Sequence, residues 1–167
     1  MRYLKFTCLA LACCFLLNCN SNNNSAKTYL ADIGDTTFNS SIDKSSFNFC
    51  DSSNVLHKRA YVKYEGGIRS LENDLIAQYQ IKPGYKDFSG YFIVRFAVNC
   101  KDEIGRFRWE VVNPDFEETT CPEELENNII TIFKRLDKWN HPFYRGADYD
   151  GYTYVVIKLK NGQIIPS

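Results

Sequence analysis

The chain has 167 residues, 44% of them apolar, with 12 Phe and 11 Tyr, enough for one domain of ordinary size plus attachments. Lys and Arg together balance Asp and Glu at 20 each. A nucleic-acid binder usually carries a basic stripe, and with no long run of Lys or Arg that class is excluded.

The first 18 residues, MRYLKFTCLALACCFLLN, set Arg2 and Lys5 ahead of an apolar stretch from Phe6 to Leu17 broken only by Thr7. This is the layout of an export signal. As a helix the stretch covers roughly 18 Å, against about 30 Å of bilayer hydrocarbon, too short for a comfortable span. Cys19 follows directly, and an Asn-rich tract, NSNNNS, follows Cys19. The junction resembles a bacterial lipoprotein signal, which implies lipidation at Cys19 and a membrane anchor in the cell envelope, at the periplasmic face of the outer membrane. Cys13 and Cys14 are rival sites, although a cut there leaves Phe15, Leu16 and Leu17 exposed; a plain secretory signal is the alternative.

Residues 19–59 read as an Asn/Ser-rich tether without a sustained apolar period, in which Phe47, Phe49, Cys50 and Val55 are placed to dock locally on a folded domain of residues 60–167. Beyond Cys19, the thiols Cys50, Cys100 and Cys121 allow three single pairings with one left over, in a compartment where pairing is expected.

Within 60–167 the apolar period changes three times. Ile68, Leu71, Leu75 and Tyr79 fall at offsets 0, 3, 7 and 11, one face of a helix that Pro83-Gly84 ends. In GYFIVRFAVN, Phe92, Val94, Phe96 and Val98 alternate with Tyr91, Ile93, Arg95 and Ala97, and Arg95 marks the second face as the wet one. RFRWEVV repeats the alternation after a short loop with Gly105, which predicts an antiparallel hairpin. A helical period returns with Leu125, Ile129, Ile132, Phe133 and Leu136; Thr120 and Glu123 form a capping-box pattern, Pro122 suits the first turn, and Lys134, Arg135 and Lys138 load the far end. The last run, YTYVVIKLK, directs Thr153, Val155, Ile157 and Leu159 inward, and Asn161-Gly162 closes it. The order predicts an α+β fold: a two-layer sandwich, α-β-β-α-β, with a three-stranded antiparallel sheet covered on one face by two helices.

A Gly-Gly ahead of an amphipathic helix, the strand GYFIVRFAV, a helix ending in KWNHP and a closing strand resemble the TonB carboxyl-terminal domain family, in its Bacteroidetes-type envelope variants. Gly66, Gly67, Gly90, Phe96, Val98, Trp139 and Pro142 carry the resemblance, over about residues 60–165. It implies a small sheet on two helices, and a domain that takes an extended peptide of an envelope protein, such as a segment of an outer-membrane transporter, by strand addition at a sheet edge. By the same resemblance that edge is Tyr152–Lys160, with Tyr152, Tyr154, Val156, Lys158 and Lys160 as partner-binding residues. The chain departs from the family's energy transducer in having a lipid-type signal and a short tether, so transduction is not implied.

Chemistry finds little to rest on. His141 and His57 are the two His residues, and no G-x-S-x-G, H-E-x-x-H or Gly-rich phosphate loop accompanies them. Aligning GADYDGY with a calcium loop puts Gly146 and Ile157 where carboxylates belong. Glu117, Glu118, Glu123 and Glu124 read as a solvated loop and a helix start. No catalytic residue, cofactor or metal is assigned. Tyr144, Tyr149, Tyr152 and Tyr154 crowd the entry to the last strand and suit protein recognition. The leading expectation is a non-enzymatic envelope lipoprotein that binds a peptide at a sheet edge. The alternatives are an envelope hydrolase using His141 with Asp148 or Asp150, and a structural lipoprotein whose edge pairs with its own copy.

Overall fold

A computed structural model describes residues 38–57 and 61–166. All of them lie in the second of two units into which the chain divides, Asp32–Ser167; the signal, Cys19 and the first part of the tether fall outside the described residues. In chain order the elements are β1 (Lys63–Tyr64), α1 (Gly67–Gln78), a 3₁₀ turn (Pro83–Tyr85), β2 (Gly90–Val98), β3 (Ile104–Val112), α2 (Glu123–Phe133), β4 (Trp139–Asn140), β5 (Phe143–Tyr144), β6 (Ala147–Asp148), β7 (Gly151–Lys160) and β8 (Gln163–Ile165). The fold is α+β with antiparallel sheets.

The main sheet has four strands in the order β3-β2-β7-β8, which corrects the three-stranded expectation. The cause is local. Asn161 and Gly162 adopt φ of 50° and 71°, the paired left-handed conformations of a tight two-residue hairpin turn, so the chain folds back and Lys160, Leu159 and Lys158 pair with Gln163, Ile164 and Ile165. Two small ribbons, β1 with β4 and β5 with β6, complete the strands.

The predicted inward rows hold. Phe92, Val94, Phe96 and Val98 are fully buried, and with Val155, Ile157 and Leu159 they face Leu71 and Leu75 of α1 and Leu125, Ile129, Ile132 and Phe133 of α2. Side chains of this size contribute about 1.5–3 kcal/mol each on full burial. Phe96 meets Phe107, Phe133 and Trp139 at ring-centroid distances of 5.7, 5.2 and 4.6 Å.

Two details of α2 differ from expectation. Its N-cap is Pro122, with no side-chain cap bond from Thr120, so the capping box does not form. It also ends at Phe133, because Arg135 and Leu136 tighten into three-residue turn bonds to Ile132 and Phe133, while Trp139 leaves to pair with Tyr64. Arg135 and Lys138 therefore lie beyond the helix.

The second face of the sheet is exposed at Val156, Lys158 and Lys160 but covered around Arg95. Arg95 is only 9% exposed and is gripped by Glu110 through two bonds of 2.8 and 3.2 Å. Beside it Phe47, Phe49 and Val55 pack on Ala97 and Tyr152 as a second cluster. The docking expected for those residues thus extends to a layer made by 38–57. Gly105 is required beneath it, since a Cβ there would come within 2.3 Å of the Phe47 ring. The Cys50–Cys100 disulfide fixes the layer and leaves Cys121 as a free thiol.

Candidate binding groove

Pairing settles what β7 offers at its outer edge. Antiparallel strands use alternate residues for each neighbour. The N–H of Tyr152 points away from β2 and donates to the Leu56 carbonyl at 2.8 Å, so Tyr154, Val156, Lys158 and Lys160 direct their backbone groups the same way. Lys158 and Lys160 meet Ile165 and Gln163 of β8 there. Three of the five residues expected to receive a partner strand, Tyr152, Lys158 and Lys160, are therefore paired within the chain, which corrects the expected edge. Tyr152 is also fully buried in the second cluster. Tyr154 and Val156 remain: Tyr154 is half-buried, and Val156 is 44% exposed, with no described strand opposite it on that side.

A groove opens at this gap. β8 is only three residues long and stops short of Val156, while α1 continues along the same side of the sheet. Ile68, Leu71 and Leu75 of α1, Val156 of β7, and Ile164 and Ile165 of β8 surround a space of about 270 Å³. Ile68 belongs to the apolar stripe of α1 but stands at its open start, 47% exposed. Leu71 and Leu75 are buried and form the groove's inner wall. The residues that complete the site, Ile164 and Ile165, were signalled by Asn-Gly followed by an apolar pair. Pocket and stripe meet only because the hairpin places β8 beneath α1.

The residues considered for chemistry fall into different roles. His141 is held at both ring nitrogens: Nδ1 lies 2.7 Å from Asp102 and Nε2 3.0 Å from Asp148. Its backbone N–H also donates to Asp102 at 2.7 Å. Burial pulls the imidazole pKa down, but the hydrogen bonds it donates to Asp148 and Asp102, with their charges, outweigh it and leave the value raised. An imidazolium with both N–H groups engaged has no lone pair for a general base. Asp148 is thus in reach of His141, as the hydrolase alternative required, but in a clamp. Asp102, 39 residues earlier, is the partner that sequence spacing gave no sign of.

Asp150 does something else. It is 2% exposed, and its two carboxylate oxygens accept the N–H groups of Asp51 and Cys100, each at 2.8 Å, while its carbonyl accepts Leu56 N–H at 2.8 Å. It lies beside Cys50 and Cys100, whose sulfurs are joined in the disulfide and so are not metal ligands. Cys121 is half-buried, and burial, reinforced by Glu126, pushes its thiol up to about 11, away from the reactive thiolate. Of the acidic cluster, Glu117 closes a turn on Asn113 and Glu124 pairs with Lys82.

No family model, curated protein or solved structure matches the chain.

Proposed function

We propose that the chain is a non-enzymatic, lipid-anchored binding module of the cell envelope, and that it holds an extended peptide of another envelope protein in the groove between α1 and the β7–β8 hairpin. The observation that carries this reading is a groove that ends where β8 stops, lined by the exposed Ile68 side chain and by β7 at Val156, whose outward backbone groups no described strand meets. The resemblance to the TonB carboxyl-terminal domain suggests the partner class, a short periplasmic segment such as that of an outer-membrane transporter. The mode differs from addition along a whole strand: one aliphatic side chain enters the groove, and the backbone bonds at Val156 alone.

Magnitudes fit a weak, assisted contact. One or two backbone hydrogen bonds at about 1 kcal/mol net each and one buried aliphatic side chain at about 1.5–3 kcal/mol correspond to roughly millimolar binding. A shared membrane surface raises the effective concentration enough to make that useful. Lipidation at Cys19 supplies such a surface in this reading.

A photoreactive residue placed at Val156 of the full chain, in its native envelope, tests the proposal. The expected adduct is an extended segment of an envelope protein with an aliphatic residue at the crosslink, and it is lost when Ile68→Glu puts a charge at the groove mouth. Ile68 is exposed, so that variant should melt like wild type. Adducts that persist unchanged in Ile68→Glu would place the partner elsewhere.

A further inference from the structure

A second concavity shares no lining residue with the groove, and its chemistry is different. β1 and β4 form a two-stranded ribbon in which Tyr64 faces Trp139 and Lys63 faces Asn140. Tyr64 and Trp139 are buried edge-to-face with ring centroids 4.8 Å apart. Because side chains alternate across a strand, Lys63 and Asn140 stand on the opposite, exposed face. They form the floor of a trough of about 580 Å³, with Tyr61 and Phe143 as aromatic walls and Glu65 and His141 at the rim.

Three features mark it as a built site. Phe143 is 68% exposed, so its ring offers an open apolar face at the wall of the trough. The side chains of Lys63, Asn140 and Glu65 make no hydrogen bond or ion pair with any described residue, so an ammonium, an amide and a carboxylate converge with their capacity unused. The frame is fixed. Glu65 N–H donates to the Lys138 carbonyl at 2.9 Å, Phe143 starts a ribbon closed by the tight turn Arg145-Gly146 with φ of 52° and 84°, and His141 ties the ribbon's far end, Asp148, to Asp102.

The ligand follows from the complement. Lys63 and Glu65 cancel in charge, so the floor selects neither an anion nor a cation. The mixture of donors and acceptors beside a bare ring calls for a molecule with one C–H face and a rim of hydroxyl groups that both donate and accept. A pyranose has that shape. We propose that this trough binds a hexopyranose unit of a neutral saccharide, stacked on Phe143 with its hydroxyl groups on Asn140, Lys63 and Glu65. The preformed frame spares the ordering cost that would otherwise weaken so small a ligand.

The test is a titration of the full chain with glucose, galactose, mannose, N-acetylglucosamine and their short oligomers, followed by saturation-transfer NMR up to about 10 mM, the range of weak binding. At least one sugar should bind, and both Phe143→Ala and Asn140→Ala should weaken it by tenfold or more while melting as wild type does. Ile68→Glu should bind the sugar unchanged, which separates this site from the groove. Silence from every sugar on the panel, or full binding by Phe143→Ala, overturns the proposal.

Discussion

At the scale of single residues, His141 is where protonation and structure are most directly coupled. Asp102 approaches it from the β2–β3 turn, where the residue sits at φ 62° and its N–H bonds the Asn99 carbonyl; Asp148 approaches from β6; Lys63 and Glu65 face it across the trough. Both ring nitrogens can donate only when the ring is charged. The folded pKa is therefore raised above the ordinary value of about 6.5. A raised value means that the stabilisation is complete below about pH 6.5 and disappears as pH rises through the folded pKa. Asp102 and Asp148 are both substantially exposed, and solvent screening holds the effect to about 1 kcal/mol. Thermal melts from pH 5.5 to 9 should show wild type losing its advantage over His141→Gln as pH increases. Parallel curves would show that the clamp does not titrate. Half of this clamp is legible in the sequence: Asp148 lies seven residues from His141. Asp102 is not, because only the β2–β3 turn brings it near, and a turn's position in space is not written in its spacing.

The β7–β8 hairpin shows how one turn sets the properties of an element. Gly162 has φ 71°, its N–H donates to the Phe88 carbonyl at 2.8 Å, and its carbonyl accepts the Tyr79 hydroxyl at 2.5 Å. A Cβ there would lie 2.5 Å from the Tyr85 carbonyl oxygen. Gly162→Ala should therefore cost about 2–3 kcal/mol, from backbone strain together with the clash, and should loosen β8 from β7. Lys158→Pro belongs to the same test: its N–H faces Ile165, so it should lower stability, whereas Val156→Pro removes an N–H that no described strand receives and should leave the denaturation midpoint near wild type. Equal midpoints for the two proline variants would contradict the pairing. The long strands were legible from alternation because each has one row buried under helices. β8 is not legible as a strand, since three residues show no period; the Asn-Gly pair before it is the available signal. The end of α2 was misplaced for the opposite reason. Its apolar period continues through Leu136, which is indeed buried, but it reaches the core from a turn after the helix has stopped.

For the described molecule as a whole, the consequential feature is the layer formed by residues 38–57 on the face that Arg95 had marked as wet. Composition hid it, because a Ser/Asn-rich stretch with seven scattered apolar residues has no period, and its attachment depends on long-range contacts. Asp43 pairs with Arg108 at 2.9 Å and lies 3.4 Å from Arg106. Burial would raise its pKa, but the bonds from Arg108 and Asn39 N–H and the two guanidinium charges hold it below the ordinary carboxylate value. Asn99 donates to the Asn48 carbonyl at 2.9 Å, and the Cys50–Cys100 disulfide closes a loop with a sequence separation of 50. A cross-link over a loop of that length restricts the unfolded chain by about 4 kcal/mol in the entropic account. The main core of α1, α2 and the sheet is built largely without this layer, so the two effects of breaking the bond can be separated. The Cys50→Ser/Cys100→Ser double variant should keep its far-ultraviolet circular dichroism, lose about 4 kcal/mol in urea denaturation, and become cleavable by protease within 38–57. Asp150, still accepting from Asp51 and Cys100 N–H groups, should keep the seam partly closed, so Asp150→Ala in that background should accelerate cleavage further. If the double variant denatures at the wild-type midpoint, the layer is held by packing and ion pairs alone. The second face would then owe its dryness to Phe47 and Arg108 rather than to the covalent bond.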